Sequence, residues 1–236
     1  MLVLKFGGSS VGSCKGIEQI TGILKDDEHS GHVPAIVVSA FSGVTDTLIK
    51  MANSASCGDS YENQLKTLRE RHKETAFRFL KGSDKKNADK VIEKNINELS
   101  QILDGISLLG ELSPRSMDLV MSFGERLSAN LLALIILANG IDAAFLDARS
   151  LVKTDANFGR AEVLKKETEE NIRAFFKTAK KTMQIVTGFI GSTAEGHTTT
   201  VGRDGSDLTA AIFAAALGAK KCEIWTDVDG ILTANP

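Results

Sequence analysis

The sequence predicts an α/β fold: a three-layer αβα sandwich around a mainly parallel sheet. Three observations lead there. Short apolar runs such as Leu2 to Phe6 and Pro34 to Ala40 alternate with longer stretches of helical periodicity. The opening order is strand, glycine turn, helix, strand, which is a βαβ unit and places two strands parallel with a helix across one face. The glycines gather where strands end.

Each element has a local reason. Leu2 to Phe6 stops at Gly7-Gly8. Ser13 can cap a helix over Cys14 to Lys25, with Ile17, Ile20, Ile23 and Leu24 on one stripe. Pro34 to Ala40 is the second strand. Three helical patterns follow: Val44 to Ala55, Glu62 to Leu80, and one capped by Ser83 or Asp84 that runs to Leu103. Ten Lys or Arg fall between 65 and 95, but interleaved acids make that stretch an ion-paired, solvated surface rather than a basic binding face. Ser113-Pro114 is a cap with Pro in the first turn, opening one long helix to Ala138 that ends at Asn139-Gly140. Ile141 to Leu146 is a strand, Ala161 to Lys181 a charged amphipathic helix, and Gln184 to Ile190 a fourth strand. Gly191 to Asp204 reads as a polar loop. Ser206 to Leu217 is an Ala-rich helix closed by Gly218, and Lys221 to Thr226 a fifth strand. With Pro236 coming soon after that strand, the fold reads as incomplete at its C-terminus.

Composition narrows the function. The 236 residues allow one large domain, and 28 basic against 30 acidic residues exclude a strongly basic nucleic-acid binder and an acidic disordered tail. Three Pro leave no Pro-rich linker. Three cysteines at 14, 57 and 222, without a C-x-x-C pair, argue against a disulfide framework or zinc site and for a reducing, cytoplasmic setting. The start carries no targeting segment, and the longest apolar run, Leu131 to Ala138, is too short to span a bilayer. Neither nucleic acid nor membrane is expected as a partner. The four histidines are expected at the surface or in loops.

The chemistry is written in the glycine clusters at strand ends: Gly7-Gly8-Ser9-Ser10, Gly188 and Gly191, Gly202 and Gly205, and Gly230. Backbone N–H groups in such turns and at helix N-termini bind phosphate, and open parallel sheets place ligands beyond their carboxyl ends. The usual nucleotide motifs fail. Gly7 to Gly12 and Gly191 to Gly196 have Walker A spacing, but Ser13-Cys14 and His197-Thr198 stand where Lys-Ser should. The absence of G-x-G-x-x-G after the first strand argues against a Rossmann oxidoreductase. What remains is Lys5, inside the first strand, able to reach forward onto phosphate or to point to solvent.

Lys5-Phe-Gly-Gly-Ser-Ser-Val11 resembles the K-F-G-G-T-S-V pattern of aspartate kinases, within the amino-acid kinase superfamily. Four further blocks agree in order: VVSAFSGVTD (37–46), SFGERLSA (122–129), GFIGSTAEGHTTTVGRDGSD (188–207) and IWTDVDGILTANP (224–236). Together with GISLLGE (105–111) they look most like kinase halves fused to homoserine dehydrogenase. Ser9 replaces Thr and keeps its hydroxyl. Asp204 stands where the family usually has Gly or Asn, adding a negative charge beside Arg203.

The resemblance implies one amino-acid kinase catalytic domain over 1–236, with the regulatory ACT domains absent. It implies transfer of the γ-phosphoryl of ATP, with Mg²⁺, to the β-carboxylate of L-aspartate, giving 4-phospho-L-aspartate on the way to lysine, threonine and methionine. It also implies a homo-oligomer in the intact protein. Lys5 and Asp207 become the catalytic pair. Ser39, Thr45, Glu125, Phe189, Arg203, Gly205 and Ser206 become the aspartate site, with Glu125 on the substrate ammonium unless it simply pairs with Arg126. Gly7, Gly8, Ser9, Thr226, Asp227, Asp229 and Leu232, with Lys5, become the nucleotide site. No dedicated metal residue is assigned. A kinase for glutamate or N-acetylglutamate, or an inactive fragment, are the alternatives.

Overall fold

The computed structural model describes residues 1–26, 29, 33–179, 182–202 and 204–226. Strands β1 (Leu2–Phe6), β2 (Ala35–Val38), β3 (Ala143–Leu146), β4 (Met183–Thr187) and β7 (Lys221–Trp225) form one sheet in the order β3-β4-β2-β1-β7. Every neighbouring pair in it is parallel. Alternation along the strands feeds two cores. Leu4, Phe6, Ile36, Val38 and Ile185 face the helices α2 (Cys14–Lys25), α3 (Val44–Ser56), α4 (Glu62–Phe79), α5 (Gly82–Leu109) and α7 (Phe123–Ala138). Val3, Val37 and Val186 face α8 (Lys165–Thr178) and α9 (Gly205–Leu217), through Ile172 and Phe213. The predicted three layers are therefore present. The same alternation puts Lys5 on the α9 side of β1, in register with Val37 and Ile224.

Three of the caps read from the sequence hold. Ser13 Oγ accepts the Gly16 N–H, Ser113 Oγ accepts the Ser116 N–H at the start of α6 (Pro114–Met121), and Gly218 closes α9 at φ +60°. The charged stretch is an ion-paired surface, with Lys73 of α4 bridging Asp89 and Glu93 of α5.

Five expectations need correction. The long helix from Pro114 is two, α6 and α7, broken at Ser122, whose hydroxyl donates back to the Leu119 carbonyl. By length and composition the whole of Pro114–Ala138 could cross a membrane, but 83% of its apolar window is buried inside this fold. α5 begins at Gly82, without a side-chain cap, and runs to Leu109, where Gly110 at φ +62° stops it. α8 begins only at Lys165, because residues ahead of it bridge to the 153–155 segment and to Thr200. The fourth strand stops at Thr187, and the stretch read as a polar loop folds into the hairpin β5 (Ile190–Ser192) and β6 (Thr198–Thr200). Finally, His72 is fully buried within α4 rather than at the surface or in a loop, whereas His29 lies in a turn, though a buried one. His29 Nε2 lies 3.0 Å from Glu223 Oε2.

Candidate active site

The carboxyl ends of β1, β2 and β4 converge, and a cavity of about 360 Å³ opens beyond them. Lys5, Ser39, Thr45, Glu125, Phe189, Gly205, Ser206 and Asp207 all line it. Eight residues assigned from distant parts of the sequence thus meet in one place. Ser42, Asp46 and Asp204 line it too, and the sequence reading had not singled out Ser42 or Asp46.

Lys5 does not point to solvent. It is 8% exposed, and its Nζ lies 2.8 Å from Oδ1 of Asp207 in the first turn of α9. The approach lies off the hydrogen-bonding direction, so the contact is an ion pair rather than an aligned bond. Asp207 acts as more than a helix-start acid, because α9 packs against β1 and delivers it to Lys5.

Glu125 is 3% exposed. α7 comes close enough to present it because Gly124 has no side chain: a Cβ there would sit 2.7 Å from Ala40 Cβ. The Ala40 N–H donates to Glu125 Oε1 at 3.1 Å, and Ser128, three residues on, donates to the Ser39 carbonyl at 2.8 Å. Glu125 Oε2 has no partner among the described residues. Burial pushes this carboxyl up to about 8. Pairing with Arg126 is excluded, since Arg126 makes a bidentate bond to Glu98 at 2.7 and 3.1 Å.

Two non-glycine residues with left-handed backbone flank the cavity. Phe189 has φ +67°, its N–H held by Thr209 Oγ1 and its carbonyl by the Val201 N–H. It turns the chain out of β4 into the hairpin. Asp204 has φ +56° at the start of α9. That conformation suits Gly, Asn and Asp, so the Asp at this position keeps the backbone and adds only charge.

The nucleotide set is less united. Gly8 and Ser9 open α1 (Gly8–Val11), and the Gly7 amide is already engaged, donating to the Trp225 carbonyl at 3.3 Å. Gly8 has a packing reason of its own, since a Cβ there would lie 2.6 Å from the Ala40 carbonyl oxygen. Thr226 lines a separate cleft of about 410 Å³ with Phe6, Ser10, Gln19 and Trp225. Arg203, Asp227, Asp229 and Leu232 lie outside the described residues.

A buried acid outside the cavity was also missed. Asp118 in α6 is fully buried and accepts from Thr200 N–H, Thr200 Oγ1 and Gly159 N–H at 2.8 to 3.0 Å. It fastens the hairpin that leads into the 202–207 segment. Its signal was a lone acid in an apolar helical run, Met117 to Met121.

Comparison with known proteins gives the site its context. The bifunctional aspartokinase/homoserine dehydrogenase, chloroplastic, of Daucus carota is 36% identical over 234 residues, covering 98% of this chain and 25% of that protein. Lysine-sensitive aspartokinase 3 of Escherichia coli is 33% identical over 242 residues, covering all of this chain and 51% of that one. The crystal structure of E. coli aspartokinase III in complex with aspartate and ADP superposes with a TM-score of 0.88 at 31% identity, over 98% of this chain and 50% of that one. The chain thus spans between a quarter and a half of the length of these relatives. The sequence profile of the amino acid kinase family matches residues 1–236, and with the parallel sheet and the cavity at its carboxyl edge the chain belongs to that family.

Proposed function

We propose that the protein is an aspartate kinase, transferring the γ-phosphoryl of ATP to the β-carboxylate of L-aspartate. The observation that carries this reading is the pairing of two features in one cavity: the buried Lys5–Asp207 ion pair and the partnerless Oε2 of Glu125. The first offers a held cation to phosphate, the second a buried carboxyl that gives up its proton when an ammonium arrives to pair with it. The relative of known structure binds aspartate and ADP, which supports carrying both ligands over.

A carboxylate is already a nucleophile at neutral pH, so the reaction needs no general base and rests on positioning and charge stabilisation. Lys5 stabilises the charge that develops on the transferring phosphoryl group, and Asp207 holds Lys5 on the cavity side of β1. Glu125 takes the substrate ammonium. Arg203 takes its α-carboxylate by a planar bidentate fork. Ser39, Thr45 and Ser206 supply hydroxyls, and Phe189 closes the wall. The Gly8 and Ser9 amides face the phosphates. Mg²⁺ would need few protein ligands where phosphates supply oxygens, and would there supply neutralisation of phosphate charge.

The orphan Glu125 oxygen also discriminates between acceptors. An N-acetylated amino acid has no ammonium to offer it. The test is ADP release by the intact protein with aspartate, glutamate and N-acetylglutamate. Aspartate-dependent release well above the other two is expected. Equal or greater release with N-acetylglutamate would overturn the assignment.

A further inference from the structure

The cavity wall contributed by residues 40–43 is held from outside by a helix that does not itself reach the cavity. Ala40, Phe41, Ser42 and Gly43 line the site, and Ala40 donates to Glu125. Gly43 sits at φ +77°, so this is a tight turn. On its cavity-distal side stand two residues of α4. Arg71 Nη1 donates to the Ser42 carbonyl at 2.8 Å, and its guanidinium lies 5.5 Å from the centre of the Phe41 ring. His72, fully buried, stacks on the same ring at 4.4 Å and 10°. The guanidinium also reaches α1, since a Cβ on Gly12 would lie 3.2 Å from Arg71 Nη2. The Ser42 N–H donates to the Gly8 carbonyl at 3.1 Å. One side chain therefore touches both the end of the glycine turn and the turn that orients Glu125.

We propose that Arg71 is a positioning residue for the acceptor: it fixes the 40–43 turn, and through Ala40 the Glu125 carboxylate, with His72 and Phe41 as its backing. A guanidinium suits the task because it can bond a carbonyl and lie against a ring at the same time, which an ammonium does less well. Arg71 touches no substrate in this arrangement. Its effect should appear as poor placement of the acceptor rather than as lost chemistry.

The inference rests on the reading of the cavity as the acceptor site, so the test first measures the intact parent with aspartate and ATP. No aspartate-dependent turnover in the parent would sink that reading and this inference with it. With an active parent, Arg71→Ala should raise the KM for aspartate about tenfold or more, the usual loss for a charge-assisted hydrogen bond. The KM for ATP should move less than about threefold, so that the effect falls selectively on the acceptor. Arg71→Lys should recover part of the loss. Lys66→Ala, which removes an exposed pair with Glu70 on the same helix, is the control and should change neither constant. An aspartate KM within twofold of the parent in Arg71→Ala overturns the proposal. So does an equal rise in both constants accompanied by a lower melting temperature, because that is what a merely structural residue would give.

Discussion

Replacing Glu125 with Gln should make the ligand-free protein more stable at neutral and alkaline pH while removing its affinity for aspartate. Burial lifts this carboxyl from an ordinary 4.5 to about 8. Between those values the folded chain holds a proton that the unfolded chain has released. Stability from this group is therefore fully present below about pH 4.5 and is lost as pH rises through 8, at about 1.4 kcal/mol per unit. The full span is worth roughly 5 kcal/mol, a ceiling because the site can relax around the charge. Gln keeps a carbonyl oxygen for the Ala40 N–H and never ionises. Parent and variant should match near pH 5 and diverge by several kcal/mol at pH 8, with the variant ahead. Trp225, the one tryptophan, reports urea unfolding at each pH. At pH 7, aspartate should stabilise the parent and release close to one proton on binding, readable by calorimetry in two buffers, while the variant shows neither. A constant offset between the two stability curves from pH 5 to 8 would refute the argument, because it would mean that the carboxyl does not titrate differently on folding.

Three other outcomes follow from the geometry. Lys5→Ala in the intact protein should lower kcat by about 10²–10³, the usual cost of one preorganised electrostatic contact, and a loss below about fivefold would leave Lys5 a mere strand residue. Asp118→Ala leaves the Thr200 and Gly159 amides and the Thr200 hydroxyl without their acceptor, and should cost about 2–4 kcal/mol by chemical denaturation; a change under about 0.5 kcal/mol would mean that the hairpin is held some other way. Burial holds His72 down to about 4, so its contribution is present above an ordinary 6.5 and is lost as pH falls toward 4. His72→Phe should accordingly flatten the acid limb of the stability curve, and an unchanged limb would contradict that.

The sheet and most helices were legible because their signals are local. A run of apolar residues ending in Gly-Gly, a Ser three residues ahead of a free helix N–H, and a Gly that accepts φ +60° need no knowledge of the rest of the chain. The hairpin was not legible, since Ile190–Ser192 and Thr198–Thr200 are three residues each and too short for period-2 alternation to register. The break at Ser122 was hidden for a different reason. Apolar periodicity continues across it, and the bend is set by tertiary contact, with Asp118 tied to Thr200 and Gly124 pressed on Ala40. The burial of His72 was likewise invisible, because a histidine in a charged helix reads as surface until Phe41 arrives from another element to cover it. Most of the site was readable by resemblance, and the roles of Arg71 and Asp118 were not, because each acts on a segment distant in sequence.

The costs in this fold are concentrated where the chemistry is proposed. A carboxylate with one oxygen unpaired is buried at the cavity wall, a phenylalanine is held in left-handed backbone, and a lysine inside a strand is kept from solvent. Each would be unfavourable in an isolated segment, by about 1–3 kcal/mol for the backbone strain alone. Each is over-determined here by something rigid: Glu125 by α7 and the Ala40 N–H, Phe189 by Thr209 and Val201, Lys5 by the neighbouring strands and Asp207. Two of these groups are incompletely served in the free protein: Glu125 Oε2 would gain its partner when an ammonium arrives, and Lys5, already paired with Asp207, would gain a second anion when a phosphate arrives. Their cost in the free protein therefore becomes affinity in the bound one. This is why a substitution at Glu125 should separate stability from function, whereas one at Asp118, whose bonds are all satisfied without ligand, should damage both.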